Sequence, residues 1–416
     1  MLSLLRIKDR IFYGWVVVTA TFIIGLAMFG TRNSFGVFFK SIESEFDLNR
    51  ATTSGILSAY MVLGAAFAVL GGWALDRYGA RTTILLMGLF TGSSLLLTSQ
   101  ASAVWQLFAS YSLLLALGTG AGYTMLMAIV SRWFDKKRGL ALGISGSGGG
   151  LGILVMTPFI AYLIADFGWR MAYIVTGVIA GLAIISLSLL LRNDPGEMGL
   201  LPDGAKSNAR KMEAQGKDHD TQPTGFSIRQ ALRTRSFWFL WLTWLFQATS
   251  IYLITTHIVP HTTDMGVSTI KAAVVLSLIG GASILGRLLA GSTSDAIGRK
   301  TAAIISSLLG AGALIWLIWA QDLWMFYLFA TLFGFSWGGL STMVTVLIGD
   351  VFGLRNIGVI MGWQGMAWFI GAAAGPAIGG IIFDATKSYS MAFVIGAIAL
   401  LLTALFVALL TRQETK

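Results

Sequence analysis

The sequence predicts an all-α membrane protein, with twelve transmembrane helices arranged as two pseudo-symmetric six-helix bundles. Three observations lead there. Hydrophobic residues make up 56% of the 416-residue chain and charged residues only 12%, a balance outside that of soluble domains. The apolar residues fall in long runs, each of the roughly 20 residues that a helix needs to cross a bilayer. The second half of the chain repeats the first at an offset of about 219 residues, the mark of a duplicated unit.

In chain order the runs cover 12–39, 54–75, 82–99, 104–131, 139–164, 171–191, 236–260, 270–294, 301–319, 323–349, 357–383 and 391–411. The first has no small-residue cleavage site and is too long for a signal peptide, so it is expected to stay as a helix. Residues 1–191 form the first bundle and 236–416 the second. Between them 192–235 is polar and rich in Lys, Asp, Gly and Gln, the composition of a linker, with one amphipathic helix expected near Ser227–Leu232.

The net charge of +10 lies in short clusters between the apolar runs. That pattern sets membrane orientation and does not suit a nucleic-acid binder. One set of loops carries Arg6, Lys8, Arg10, Arg77, Arg81, Arg132, Lys136, Lys137, Arg138, most of the linker, Arg299, Lys300, Arg355, Arg412 and Lys416. The other carries only Lys40, Arg50, Arg170, Lys271 and Lys387. The first set is expected in the cytoplasm, with both termini, and the chain in the cell membrane. With no cysteine there are no disulfides or thiolate metal sites.

The repeat is visible in motifs. Gly72–Arg81 (GWALDRYGAR) follows the second run and Gly291–Lys300 (GSTSDAIGRK) the eighth. Phe134, Pro158 and Asp166 recur as Phe352, Pro376 and Asp384. Two six-helix halves in one orientation are the layout of major facilitator carriers. In each Asp-x-x-Gly loop, Asp76 or Asp295 faces a helix N-terminus while Arg77, Arg81, Arg299 and Lys300 stay at the surface. These six residues are the candidate gating loops.

The first of these loops resembles the G-x-x-x-D-R-x-G-R-R loop of the major facilitator superfamily, with Ala80 in place of one Arg. The stretch WFDKKRGLALGISGSGGGLG, ending at Gly152, is similar to a signature of the monocarboxylate transporter family. It matches at Phe134, Lys136, Lys137, Arg138, Leu140, Ala141, Gly143, Gly146, Gly148 and Gly152. Trp133 stands where Tyr is usual, and Ser145 and Ser147 where Ala is. Gly14-Trp15-Val16-Val17 resembles the end of the family's other signature, whose acidic start is missing here. The superfamily fold implies that the fifth and eighth spans meet across the gap between halves. Gly148, Gly152, Gly281 and Gly375 are therefore the expected small-residue contacts between moving parts.

Ionisable groups deep in spans are functional candidates. Arg287 lies eight residues before Asp295, so about 12 Å into the membrane along its helix, with no acid within a turn of it. Its two-pronged donor geometry suits a small carboxylate, and the resemblance implies the same role for it. Ser283, one turn earlier, takes the place of an Asp in the family's mammalian members, and Asn33 that of their proton-handling Lys. Both are expected as hydrogen-bond donors to substrate, while the usual proton relay is missing. Arg32, nearer the outer end of the first span, is read as snorkelling to the surface rather than attracting anions.

His257 is the remaining titratable candidate, either a proton carrier or a neutral hydrogen-bonding residue beside a helix break at Pro260. His257 and His261 have the spacing of a metal pair, but the Pro260 break and the lack of a following Glu argue against a metal site. Tyr123 either reaches the cavity or packs. Phe335 and Trp337 either wall the substrate's apolar end or pack.

The function expected is secondary active transport of small monocarboxylates such as lactate or pyruvate, coupled to a proton by alternating access. An oxalate/formate-type exchanger is the nearest rival. A dicarboxylate, however, would favour a second buried cation, and the eleventh span has none. A drug-efflux carrier would hold a membrane carboxylate, and a membrane-embedded enzyme would need a nucleophile and base that are not found. No cofactor, metal or protein partner is called for.

Overall fold

The computed structural model describes residues 12–134, 137–202, 226–353 and 357–410, less the side chains of 69, 76, 138–139, 290–296 and 357–359. Among the described residues, eleven segments are long and apolar enough to cross a bilayer. They are α1 Gly14–Glu45, α2 Arg50–Leu75, α3 Arg77–Ser99, α4 Val104–Trp133, Leu140–Ser188, α7 Arg235–Asp264, α8 Thr269–Leu289, α9 Arg299–Ile318, α10 Leu323–Phe352, α11 Ile360–Thr386 and α12 Ser390–Ala408. Leu140–Ser188 is two helices. Straight, it would reach about 74 Å, more than twice the hydrocarbon thickness. The chain turns at Gly168, whose φ of 80° is open to glycine. Its parts, α5 (140–167) and α6 (169–188), bring the spans to twelve, as expected.

The same backbone device recurs at the repeat. Gly79 (φ 82°) turns the chain between α2 and α3, and Gly298 (φ 87°) turns it between α8 and α9. At the first turn, Asn193 at the end of α6 accepts the Ala80 N–H at 2.5 Å. Two details differ from the sequence reading. Pro260 does not end its helix, because α7 continues to Asp264. The carbonyl of Thr256, which Pro260 cannot bond, is met closely by Gly36 of α1. α1 in turn is broken at Ser34, between Gly14–Asn33 and Phe35–Glu45.

Helices pair in the same way in each half: α1 on α5 as α7 on α11, α2 on α4 as α8 on α10, α3 on α6 as α9 on α12. Lipid supplies no hydrophobic drive for such contacts, so close backbone approach must, and glycine permits it. A Cβ at Gly148 would lie 2.2 Å from the Phe22 carbonyl oxygen of α1, one at Gly152 2.4 Å from Leu26 O, and one at Gly375 2.4 Å from Thr249 O of α7. These three glycines were expected between the halves; their contacts instead lie inside one half. Gly281, against Leu154, does face across, and so do Gly150 and Gly280, against each other's helix. Gly148→Leu is therefore expected to destabilise the fold, by about 1–3 kcal/mol or more of overpacking. Gly150→Leu is expected to keep each half intact and stop transport. Thermal melts and uptake on both purified variants check this.

Among the described residues, contacts between the halves gather at one end. Along α2 they run from Arg50 through Ser54 and Ser58 to Gly64, where a Cβ would lie 3.5 Å from the Phe369 ring of α11. Beyond that level Leu70 and Trp73 are exposed, and a Cβ at Gly365 or Gly362 of α11 would meet no other element within 4 Å. Along α5 and α8 they run from Leu154 and Ser277 to Gly146 and Arg287. Beyond those, Leu140 and Leu288 are exposed and a Cβ at Gly143 would meet no other element within 4 Å. The halves enclose a cleft, closed where α2 begins and open where α1 begins.

Candidate functional site

Two arginines sit where the halves part. Arg287 of α8 reaches across to α5, where its Nη1 donates to the Gly146 carbonyl at 3.4 Å, long for such a bond. Its buried Nε has no partner. Tyr123 of α4, exposed by 52%, stands within electrostatic reach of the guanidinium. Among the described residues no carboxylate pairs with Arg287. Its Nε is free for an anion.

Arg32 is the larger surprise. It does not snorkel to a surface but points into the protein. Its Nη2 donates to Tyr252 Oη of α7 at 3.0 Å, linking the two halves. Its Cζ lies 4.6 Å over the Phe29 ring, and the hydroxyls of Tyr60 and Tyr111 are beside it. Its Nε, like that of Arg287, is buried without a partner. The cause is helical phase. Gly36, one turn on from Arg32, packs on Thr255 and Thr256 of the second half, so this face of α1 looks across the molecule. A small residue four positions from a charged one was the signal available in the sequence.

The remaining candidates divide. Tyr123 joins the site and meets Phe29 edge-on at 6.0 Å. Asn33 is nearly buried and donates to the Phe29 carbonyl of its own helix at 2.9 Å; none of its described hydrogen bonds joins it to Arg287. Ser283 is sealed: its hydroxyl bonds the Gly280 carbonyl at 2.7 Å, and its own carbonyl is pressed by Gly338 of α10. It faces α10 rather than the cleft, so the expectation that it shares a working face with Arg287 is not met. Phe335 offers its carbonyl to Gly286 in the α8–α10 contact, and Trp337 packs on the core.

His257 lies far from Arg287, in the closed end. Its Nε2 is 2.9 Å from the Pro376 carbonyl, which can only accept, so Nε2 carries the proton. Nδ1 therefore accepts from Tyr389 Oη at 3.0 Å, and that oxygen accepts in turn from Arg50 Nη1 at 2.7 Å. Burial raises the Tyr389 phenol above its usual range and keeps it a donor. Arg50 also pairs with Glu43 at 3.1 Å and with Asp264 of α7 at 2.7 Å, while Lys40 pairs with Asp264 at 2.5 Å. Asp384 of α11 accepts the Arg50 and Ala51 N–H groups at 3.1 and 2.8 Å, a carboxylate set at the α2 N-terminus. Sequence reasoning missed this latch because its members come from five separate segments.

Of the loop residues, Arg77 stacks over Trp73 and Tyr78, Arg81 is exposed, Arg299 pairs with Asp350 and Lys300 donates to the Leu410 carbonyl at 2.9 Å. The side chains of Asp76 and Asp295 lie outside the described residues.

Twelve spans and a cleft between two halves, with two arginines at its base that no described carboxylate pairs, are the layout of a membrane carrier. The sequence profile of the Major Facilitator Superfamily matches residues 21–296 and 275–416, and the chain belongs to that superfamily. It is a multi-pass membrane transporter and not an enzyme. Monocarboxylate transporter 12 of Xenopus laevis is 24% identical, over 95% of this chain and 88% of that protein. Monocarboxylate transporter 13 of Bos taurus is 25% identical, over 94% and 87%. The uncharacterized MFS-type transporter YcxA of Bacillus subtilis is 25% identical over 97% of both. Among solved structures, the bacterial homolog of the human lysosomal transporter Spinster, inward-facing and unoccupied, superposes with a TM-score of 0.71 at 17% identity, covering 95% of each chain. That likeness supports the fold.

Proposed function

We propose that this transporter carries small monocarboxylates, lactate and pyruvate among them, together with a proton, by alternating access across the cell membrane. The observation that carries the reading is Arg287: a guanidinium at the base of the cleft with a free Nε, one long hydrogen bond and no carboxylate among the described residues. Such a cation is costly unless an anion visits it. The similarity to proteins named monocarboxylate transporters supports a carboxylate as that anion. The basic clusters support an open end on the cytoplasmic side, with both termini.

The halves rock about the substrate, with Gly150 and Gly280 sliding past each other as small residues permit. The proton rides on His257. In the closed latch Nδ1 is an acceptor. A proton there turns it into a donor facing the Tyr389 oxygen, which already accepts from Arg50, and the phenol O–H loses its acceptor. Protonation thus loosens the closed end and ties the proton to opening on the outer side. His257→Gln is expected to lose lactate accumulation driven by an inward proton gradient and to keep lactate–lactate exchange, since exchange needs no return of the empty carrier. Proteoliposomes test this. Undiminished gradient-driven accumulation in the variant removes His257 from the mechanism.

A further inference from the structure

We infer that the cleft has a second anion seat at Arg32, and that the chain carries small dicarboxylates on the same path, one carboxylate on Arg287 and the other on Arg32. This rests on the reading of Arg287 as a carboxylate site and widens the substrate class beyond monocarboxylates.

The argument begins with a contrast inside the molecule. Among the described residues four arginines are at least partly withdrawn from water: Arg32, Arg50, Arg170 and Arg287, and Arg170 pairs with Glu45. Arg50, which holds the closed end together, is neutralised by Glu43 and Asp264. Arg32 and Arg287 have no carboxylate among the described residues, and each keeps a buried Nε with no partner. A structural arginine in this protein is paired; these two are not. Together they leave two positive charges in an apolar interior, and a dianion would neutralise both.

Geometry places them on one cleft. Arg287 makes the last contact between α5 and α8 before the halves part. Arg32 lies beside Tyr60 of α2 and Tyr252 of α7, a turn from the last α2–α11 contact, at Gly64 and Phe369. The Phe29 ring stands between, under Arg32 on one side and against Tyr123 on the other. A carbon chain laid along that ring would run from one guanidinium towards the other, and the length of diacid that suits the pair is what titration reads. Arg32 keeps donors for it: its Nε has no partner, and Nη2 gives one proton to Tyr252, which leaves further guanidinium N–H groups for a carboxylate.

The rival explanation is a strut, in which Arg32 merely ties α1 to Tyr252. Binding by the purified full-length chain separates the two. Malonate, succinate and glutarate are each titrated against their own monoamide, which has the same length and one carboxylate. In the wild type at least one dicarboxylate is expected to bind tenfold or more tightly than its monoamide. Arg32→Gln should bring that ratio towards one, Arg32→Lys should retain most of it, and Tyr252→Phe should leave it within about twofold, since the charge stays. A wild-type ratio near one, or a ratio that survives Arg32→Gln, overturns the second seat. So does a Tyr252→Phe variant that loses the ratio as Arg32→Gln does. Arg287→Gln separates this from failure of the underlying reading. Loss of monoamide binding there upholds Arg287 whatever Arg32 does, while unchanged binding of both acids sinks the carboxylate site and the second seat together.

Discussion

Arg287→Gln is expected to weaken substrate binding by about a hundredfold and to abolish transport, while leaving the protein at least as stable as the wild type. The size follows from two charge-assisted hydrogen bonds lost together, roughly 3 kcal/mol, or a factor of a hundred or more in Kd. The stability half is the more discriminating. A guanidinium with one 3.4 Å hydrogen bond and an unpartnered Nε contributes little to folding, and removing an unpaired charge from an apolar site relieves a desolvation penalty. Thermal melts without substrate, with binding titrations alongside, test both halves. A large fall in melting temperature would mean that Arg287 serves the fold.

Arg50→Gln should act in the opposite way, on conformation instead of binding. Arg50 joins Glu43, Asp264, Tyr389 and the face of Phe383 in one nearly buried cluster. Removing one member of a buried charge cluster costs about 3–5 kcal/mol. Asp264 is about a third exposed, so solvent reduces this to about 2 kcal/mol, a shift of about thirtyfold toward the state open at that end. The chain has no cysteine, so spin labels at Ser44→Cys and Ser388→Cys, both exposed positions, report the separation directly. The variant should populate longer distances. An unchanged distribution would mean that the cluster is not what holds that end shut.

The twelve spans and the repeat were legible because bilayer thickness fixes helix length and duplication leaves matched motifs; even the Gly79 and Gly298 turns follow from Asp-x-x-Gly. Arg287 was legible because a lone charge in an apolar run has few explanations. The rest depended on helical phase and on partners distant in sequence. Ser283 shares a nominal face with Arg287, yet the forty degrees or so between positions four apart turn its short hydroxyl into the α10 contact. Gly148 and Gly152 lie on the same helix as Gly150, but only Gly150 points across the halves. Arg32 is next to Asn33, and the family pattern drew attention to the wrong neighbour. His257 was recognised as titratable, but its setting beside Tyr389, Pro376 and Arg50 required the assembled closed end.

Counterflow in proteoliposomes tests the central claim most directly, that the two halves alternate around a carboxylate held at Arg287. Vesicles loaded with unlabelled lactate, with no proton gradient, should draw in labelled lactate transiently above equilibrium, and vesicles bearing Arg287→Gln should show no overshoot. A wild-type protein that gives no overshoot with lactate or any other small carboxylate, or an Arg287→Gln protein that gives a normal one, would contradict the account.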